Sequence, residues 1–447
     1  MLTIAAILFI AGIILTACGL STTKSQDPSQ DLPSLDVEII MSSQDDGQWS
    51  VQFDFREPQS AVIFPCAQDD YRRRSWTATS SGTHVRHLFD AGVDLLVLDP
   101  PSQSATFTVE PWFEVLPRDY TPALFFSHGG IAFHLPQFEM FAMPSLDAAL
   151  ELEPDLINLQ DAPLKTQFHF DVDGLHVVNG DVSIGPLSVG LDDAPGYVYL
   201  GPGPVTQSER FAGILDPDLP VWLQANFENK IGEIFTFLEA RHKDGLSERV
   251  TILLSMEPPE FQGESIGGST MPGPLLTMTV GGPIFAQPPS VSLKDAVHST
   301  LAHEAAHLFQ KRYAEHRTCE PWIHEGHASA VANDFMGLET LVNDRERQKC
   351  LNALKHSETL PEALYRSPYE CGAAVWNVTN SLMTEPDIYR LWDHMMERRG
   401  SDRLNSEDFI IALIDLTPSG HETNWFVSIL RGEPIQVDLE DYLIHTR

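Results

Sequence analysis

From residue 35 onward the apolar positions recur with two different periods, and the change of period divides the chain. Trp49, Val51, Phe53 and Phe55 alternate with polar residues, and Asp46-Gly47 just before them is a hairpin turn signal. Leu95 to Leu98, then Ala105, Phe107 and Val109, then Phe168, Phe170 and Val172 continue in the same style, with Pro and Gly in the intervals. The pattern predicts an antiparallel β domain over residues 35–205. Within it, Gly129-Gly130 reads as a turn and His134 as a satisfied histidine in apolar surroundings.

After Pro220 the period lengthens. Val221, Leu223, Phe227, Ile231, Ile234, Phe235 and Leu238 recur at helical spacing, predicting a helix that ends near Gly245. Val250 to Leu254 and Leu275 to Val280 read as strands, with the Gly-rich segment Gly267 to Pro272 between them, either a plain turn or part of a substrate-binding edge. Pro288-Pro289 precede Ser292, a predicted N-cap with Asp295 three residues on, so a helix running through His307 starts there. Pro321 and Gly337 bracket a second helix that contains Glu325. Residues as far as Leu430 keep helical spacing. The fold expected is α+β, with the β domain followed by a mainly helical domain over 206–447.

The first 34 residues fit neither period. Leu2 to Ala17 is a nearly continuous apolar run, too short to span a bilayer, which needs about 20 residues, but long enough for the core of a signal peptide. It ends in Leu15-Thr16-Ala17-Cys18-Gly19, which resembles the lipobox of bacterial lipoproteins, although no Lys or Arg precedes it. The resemblance implies a signal peptide at 1–17, cleavage before Cys18 and a lipid on its sulfur. The polar segment that follows, rich in Ser, Gln, Asp and Pro, makes 18–34 a flexible lipid-anchored linker. The expected location is the bacterial cell envelope, on the periplasmic or outer-surface side of a membrane.

Charge narrows the partners. The 447 residues, enough for two or three domains, carry 28 basic and 63 acidic side chains, a net charge of −35. That balance argues against nucleic acid and anionic lipid surfaces, and a solubilising acidic surface explains it. Beyond Cys18 there are four cysteines, Cys66, Cys319, Cys350 and Cys371. In an exported protein they permit two disulfides in any of three connectivities, or free thiols.

The chemistry sits on the two helices. His303-Glu304-Ala305-Ala306-His307 places two imidazoles four residues apart, hence one above the other on one helix face. Glu304, about 100° round the helix, can reach a water beside a metal instead of the metal itself. A catalytic zinc keeps three protein ligands and one open position. Glu325, in Trp322-Ile323-His324-Glu325-Gly326-His327, is the third ligand such a site needs. His324, His327 and Cys319 are alternatives for that place.

The two motifs together resemble the gluzincin metallopeptidases of the aminopeptidase-N and leukotriene-hydrolase type. That family has HExxH, eighteen intervening residues and a Glu within N-E-G-[FY]-A. Here seventeen residues intervene and the second motif reads His324-Glu325-Gly326-His327-Ala328. The resemblance implies one zinc on His303, His307 and Glu325, Glu304 as general base, and a thermolysin-like catalytic domain after an N-terminal β domain. It places Gly267, Gly268 and Ser269 at a substrate-binding edge strand, without the family's Glu, for which Glu260 or Glu264 are substitutes. Pro368-Tyr369-Glu370-Cys371-Gly372 resembles the family's P-Y-E-K-G, which implies that Tyr369 stabilises an oxyanion. The expected function is a membrane-anchored zinc peptidase acting on peptides or proteins. A zinc hydrolase of non-peptide substrates and a non-catalytic zinc-binding lipoprotein are the alternatives.

Overall fold

A computed structural model describes residues 35–434 apart from 45–46, 66–68, 89–91, 115, 117–119, 152–161, 193–195, 259–260, 262, 272, 311–318, 339–343, 384–386 and 400–403. The signal and linker segments with Cys18, and also Asp46, Cys66, Glu260 and Pro272, lie outside the described residues.

Three sheets are stacked, and helices cover the last of them. The first sheet is formed by β1 (Val37–Ser43), β2 (Trp49–Phe64), β3 (Trp76–Ala78), β4 (Thr83–Leu88), β5 (Val93–Val109), β8 (Phe141–Met143), β9 (Thr166–Asp171) and β12 (Leu187–Gly190). Most of its pairings are antiparallel, with β1 and β9 parallel. The alternation noted in the sequence fixes which face is inward. Val37, Ile39 and Met41 on β1 and Trp49, Val51, Phe53 and Phe55 on β2 are all buried. The second sheet is formed by β6 (Ala123–Phe125), β7 (Ile131–His134), β10 (Leu175–Val178), β11 (Asp181–Ile184) and β13 (Tyr197–Gly201). It lays Phe133, Val198 and Leu200 into the same core, with Trp49 meeting Phe133 edge-on at 4.9 Å between ring centroids. Its other face carries Tyr197 and Tyr199 into a cluster with Ile214, Leu253, Met271 and Leu275 of the third sheet.

The third sheet runs β14-β15-β16-β18-β17 and comprises β14 (Val205–Gln207), β15 (Phe211–Leu215), β16 (Val250–Met256), β17 (Ser265–Met271) and β18 (Leu275–Gly281). Here β15, β16 and β18 are parallel, whereas β17 pairs antiparallel with β18 and forms one edge of the sheet among the described residues. Gly267 to Met271 of the Gly-rich segment therefore lie in a strand and not in a turn.

Two short helices, α1 (Tyr71–Ser75) and α2 (Leu146–Leu150), flank the first sheet. Helix α3 (Val221–Glu239) connects β15 to β16 and ends at Glu239, ahead of the Gly245 boundary that its spacing suggested. Leu223, Phe227, Ile231, Ile234, Phe235 and Leu238 on α3 are buried against the sheet. Helix α4 (Val291–Phe309) is capped by Ser290, whose hydroxyl accepts from the Leu293 N–H at 3.1 Å. The helix thus starts directly after Pro288-Pro289, two residues before the predicted Ser292 cap. Then come α5 (Pro321–Phe335), α6 (Asp344–Lys355), α7 (Leu360–Arg366), α8 (Pro368–Leu382), α9 (Ile388–Arg399), α10 (Ser406–Leu416) and α11 (His421–Leu430). None of the helices among the described residues is long and apolar enough to cross a membrane.

Two devices fix α8 against its neighbours. A disulfide joins Cys350 on α6 to Cys371 on α8. Of the four cysteines left open by the sequence, this is the pair formed among the described residues; Cys319 sits half-buried just before α5. On the other side, α8 meets α5 backbone to backbone. A Cβ on Gly326 would lie 2.6 Å from the Gly372 backbone, and one on Gly372 would lie 2.6 Å from the Trp322 carbonyl oxygen. Neither glycine has room for a methyl group.

Gly326→Ala is therefore expected to lower stability by about 1–3 kcal/mol through overpacking. Gly232→Ala, in α3 with nothing within 4 Å of the added carbon, is expected to raise it by about 0.4–1 kcal/mol. Denaturant unfolding of the two variants checks the contrast. Equal stabilities would show that the Gly326–Gly372 approach is not a constraint.

Candidate metal centre

The helix α4 is built to be approached closely. Its inner face carries the bulky Val297 and Leu301, but the turn around the histidines is lined by Ala302, Ala305 and Ala306, all buried. Small side chains there let β17 come against one side and α5 against the other. His303 and His307, four residues apart, place their rings 4.9 Å apart at the centroids.

Three donor atoms converge. His303 Nε2 lies 3.1 Å from Glu325 Oε2 and 3.2 Å from His307 Nε2, and His307 Nε2 lies 3.3 Å from the same Glu325 oxygen. A tetrahedral ion with ligands at about 2.0–2.1 Å separates them by roughly 3.3–3.4 Å. The triangle has the size that such an ion requires, and its donors, two imidazoles and a carboxylate, suit zinc. Among the described residues His303, His307 and Glu325 form the group of this kind. His303 and Glu325 keep 15% and 17% of their side-chain surface exposed, so the centre opens on one side.

Electrostatics agree with a site for a cation. Burial pushes the Glu325 carboxyl up, but the His307 charge and the hydrogen bonds from His303, His307 and His324 outweigh it and hold the group well below its usual range. Burial likewise pulls the His307 imidazole down, and the Glu325 charge and hydrogen bond override it, pushing it up to about 9.

The neighbours are arranged around this triangle. His324 Nε2 lies 3.2 Å from Glu325 Oε1, which leaves Oε2 to the imidazoles. His307 Nδ1 is 2.7 Å from Gln310 Oε1 and His303 Nδ1 is 3.3 Å from Ser329 Oγ, so both rings turn Nε2 inward. His327 is directed elsewhere, stacked on Trp392 with centroids 4.7 Å apart. Cys319 is not part of the group.

Glu304 is buried beside these three residues. A Cβ on Gly268 would meet its Cγ at 2.4 Å, so only glycine lets β17 pass so close. The Thr270 hydroxyl donates to the Glu304 carbonyl at 2.6 Å and reaches its Oε2 at 3.3 Å. Burial raises the Glu304 carboxyl above the usual range, the imidazoles of His303 and His307 partly oppose this, and Glu325 adds to it. Of the three β17 residues singled out in the sequence, Gly268 faces Glu304. Gly267 and Ser269 fall on the alternate face, with their backbone at the same edge. Tyr369 opens α8 half-exposed, its ring 5.9 Å from that of His303.

The sequence reading did not single out Gln310, Ser329 or Thr270. Each lies at a spacing that shares a face with a residue it did single out: three after His307, four after Glu325, two after Gly268.

No family model matches the chain, and no curated protein matches it. Among solved structures, the M1 zinc metallopeptidase from Deinococcus radiodurans is similar at 13% identity and a TM-score of 0.45, over 90% of this chain and 95% of that one. A mutant of a two-domain M1 zinc metallopeptidase bound to L-tryptophan is similar at 11% identity and a TM-score of 0.42, over 90% and 94%. A mutant of the Deinococcus radiodurans enzyme bound to a Tyr-Ser-Ala substrate gives 11% and 0.42, over 88% and 92%.

The triangle leads to a direct expectation. Purified protein should hold one zinc per chain by elemental analysis, and His303→Ala or His307→Ala should lose it. Unchanged zinc content in both variants would show that these atoms do not bind the metal.

Proposed function

We propose that the protein is a zinc-dependent peptidase, tethered to a bacterial membrane by a lipid on Cys18. The observation that carries the activity is the three-donor triangle with a separate buried carboxylate, Glu304, beside it. A purely structural site has no use for that fourth group.

His303, His307 and Glu325 would hold the zinc. When bound, it supplies Lewis acidity that polarises a carbonyl and makes water a better nucleophile. The rest falls to the protein. Glu304 takes the proton from the attacking water and hands it to the departing amine, a role suited to a carboxyl whose pKa is raised by burial. Thr270 and the Gly268 backbone hold it in place. Tyr369, at the open side next to His303, donates its phenolic hydrogen to the oxygen that gains charge in the transition state. The free edge of β17 offers backbone N–H and C=O groups to an extended peptide, which favours a peptide over a substrate without such a backbone.

A peptide-library screen with zinc-loaded protein tests this reading. Glu304→Gln should retain zinc and lose turnover by about 10²–10⁴-fold. Tyr369→Phe should lower kcat by about 10²–10³-fold with KM little changed. Wild-type protein that binds zinc and cuts no peptide, or a Glu304→Gln variant as active as wild type, would refute the proposal.

The anchor has its own test. Cys18→Ser should block lipid attachment and, with it, maturation of the chain. A variant that is processed and fractionates like wild type would overturn the anchor without touching the peptidase reading.

A further inference from the structure

Gln310 terminates α4 three residues after His307 and is fully buried. Its side chain makes three contacts. Oε1 lies 2.7 Å from His307 Nδ1; Nε2 lies 3.0 Å from the backbone carbonyl of His324 and 2.9 Å from His327 Nδ1. The oxygen and nitrogen of an amide have nearly the same shape, so the partners determine which is which. A backbone carbonyl only accepts. A reversed amide would set two oxygens 3.0 Å apart at His324 and lose the hydrogen bond there. The NH₂ group therefore faces His324 and His327, and the oxygen faces His307.

This orientation determines two tautomers. An oxygen 2.7 Å from His307 Nδ1 calls for a hydrogen on that nitrogen, so in the neutral ring the lone pair sits on Nε2, the atom in the triangle. His327 Nδ1 accepts from Gln310, so its hydrogen is on Nε2. That nitrogen is buried without a hydrogen-bond partner among the described residues, in a ring held between Trp376 and Trp392. His327 is thereby an anchor for Gln310 and not a ligand.

We propose that Gln310 is a positioning residue for the metal: it holds His307 in the Nδ1–H form with its Nε2 lone pair presented to the ion, and is itself oriented by the His324 carbonyl and His327. The two anchors lie on either side of Glu325 in the sequence. One side chain at the end of α4 thus sets a ligand of its own helix and registers it against the first turn of the helix that supplies the other. Neither zinc motif includes this residue. The inference rests on the reading of His303, His307 and Glu325 as a metal centre.

The test is zinc affinity by competition with a chromogenic chelator, in wild type, Gln310→Met and Gln310→Glu, together with thermal unfolding in the metal-free state. Met fills similar space without polar atoms and should weaken zinc binding by about 10–100-fold. Glu restores the acceptor toward His307 and should recover part of that loss. A residue that only fills space would change metal-free stability and leave the affinity alone, and equal affinity in Gln310→Met would overturn the proposal. Should the Met variant fail to fold, the wild type still decides. Two-bond proton–nitrogen correlations of ¹⁵N-histidine-labelled, zinc-loaded protein should show His327 in the Nε2–H form, and the Nδ1–H form would overturn it. Wild type that binds no zinc would instead remove the metal centre on which the inference stands.

Discussion

Two imidazole nitrogens and a carboxylate oxygen meet within 3.3 Å of one another in a largely buried place. Desolvated lone pairs set so close repel unless something positive lies between them, and burial removes the water that would otherwise screen them. A proton or a metal ion must therefore lie among them, and the Glu325 charge and hydrogen bond push the His307 imidazole up in keeping with this. Much of the architecture around the site makes that convergence attainable. Alanines on α4 and glycines on β17, α5 and α8 are the positions where backbone must approach backbone or where a carboxylate must lie against a strand.

The two sides of the centre are constrained in different ways. On the α4 side the constraint is polar: Thr270 holds Glu304, Ser329 and Gln310 hold the imidazoles, and each contact fixes one orientation. On the α5 and α8 side it is steric. Gly326 follows Glu325, and Gly372 lies three residues beyond Tyr369, so the glycine contact sets where the phenol stands relative to the carboxylate. The Cys350–Cys371 disulfide then ties the same turn of α8 to α6. The stacked sheets contribute at a distance: they support the third sheet, whose edge strand β17 is the wall facing Glu304.

Helical periodicity was enough to put His303 and His307 on one face, and Pro321 with Gly337 bracketed α5, because these signals act within one element. The alternation in β1 and β2 was legible for the same reason. The stacking of the second sheet between the first and third was not, since it depends on contacts such as Trp49 with Phe133 that no local pattern encodes. The start of α4 was misplaced by two residues because Ser290 and Ser292 are equally good caps by composition, and the prolines before them decide between the two. Gln310 escaped notice because its meaning lies in His324 and His327, across a connection of ten residues. The Gly-rich segment kept two readings open until β18 was seen to pair with it.

X-ray absorption at the zinc edge on the purified, zinc-loaded protein reports the atoms around the metal and so decides whether His303, His307 and Glu325 hold it. The expected result is nitrogen and oxygen neighbours at about 2.0–2.1 Å, with the more distant scattering of two imidazole rings. A sulfur shell at about 2.3 Å would place a cysteine on the metal and contradict the assignment of His303, His307 and Glu325.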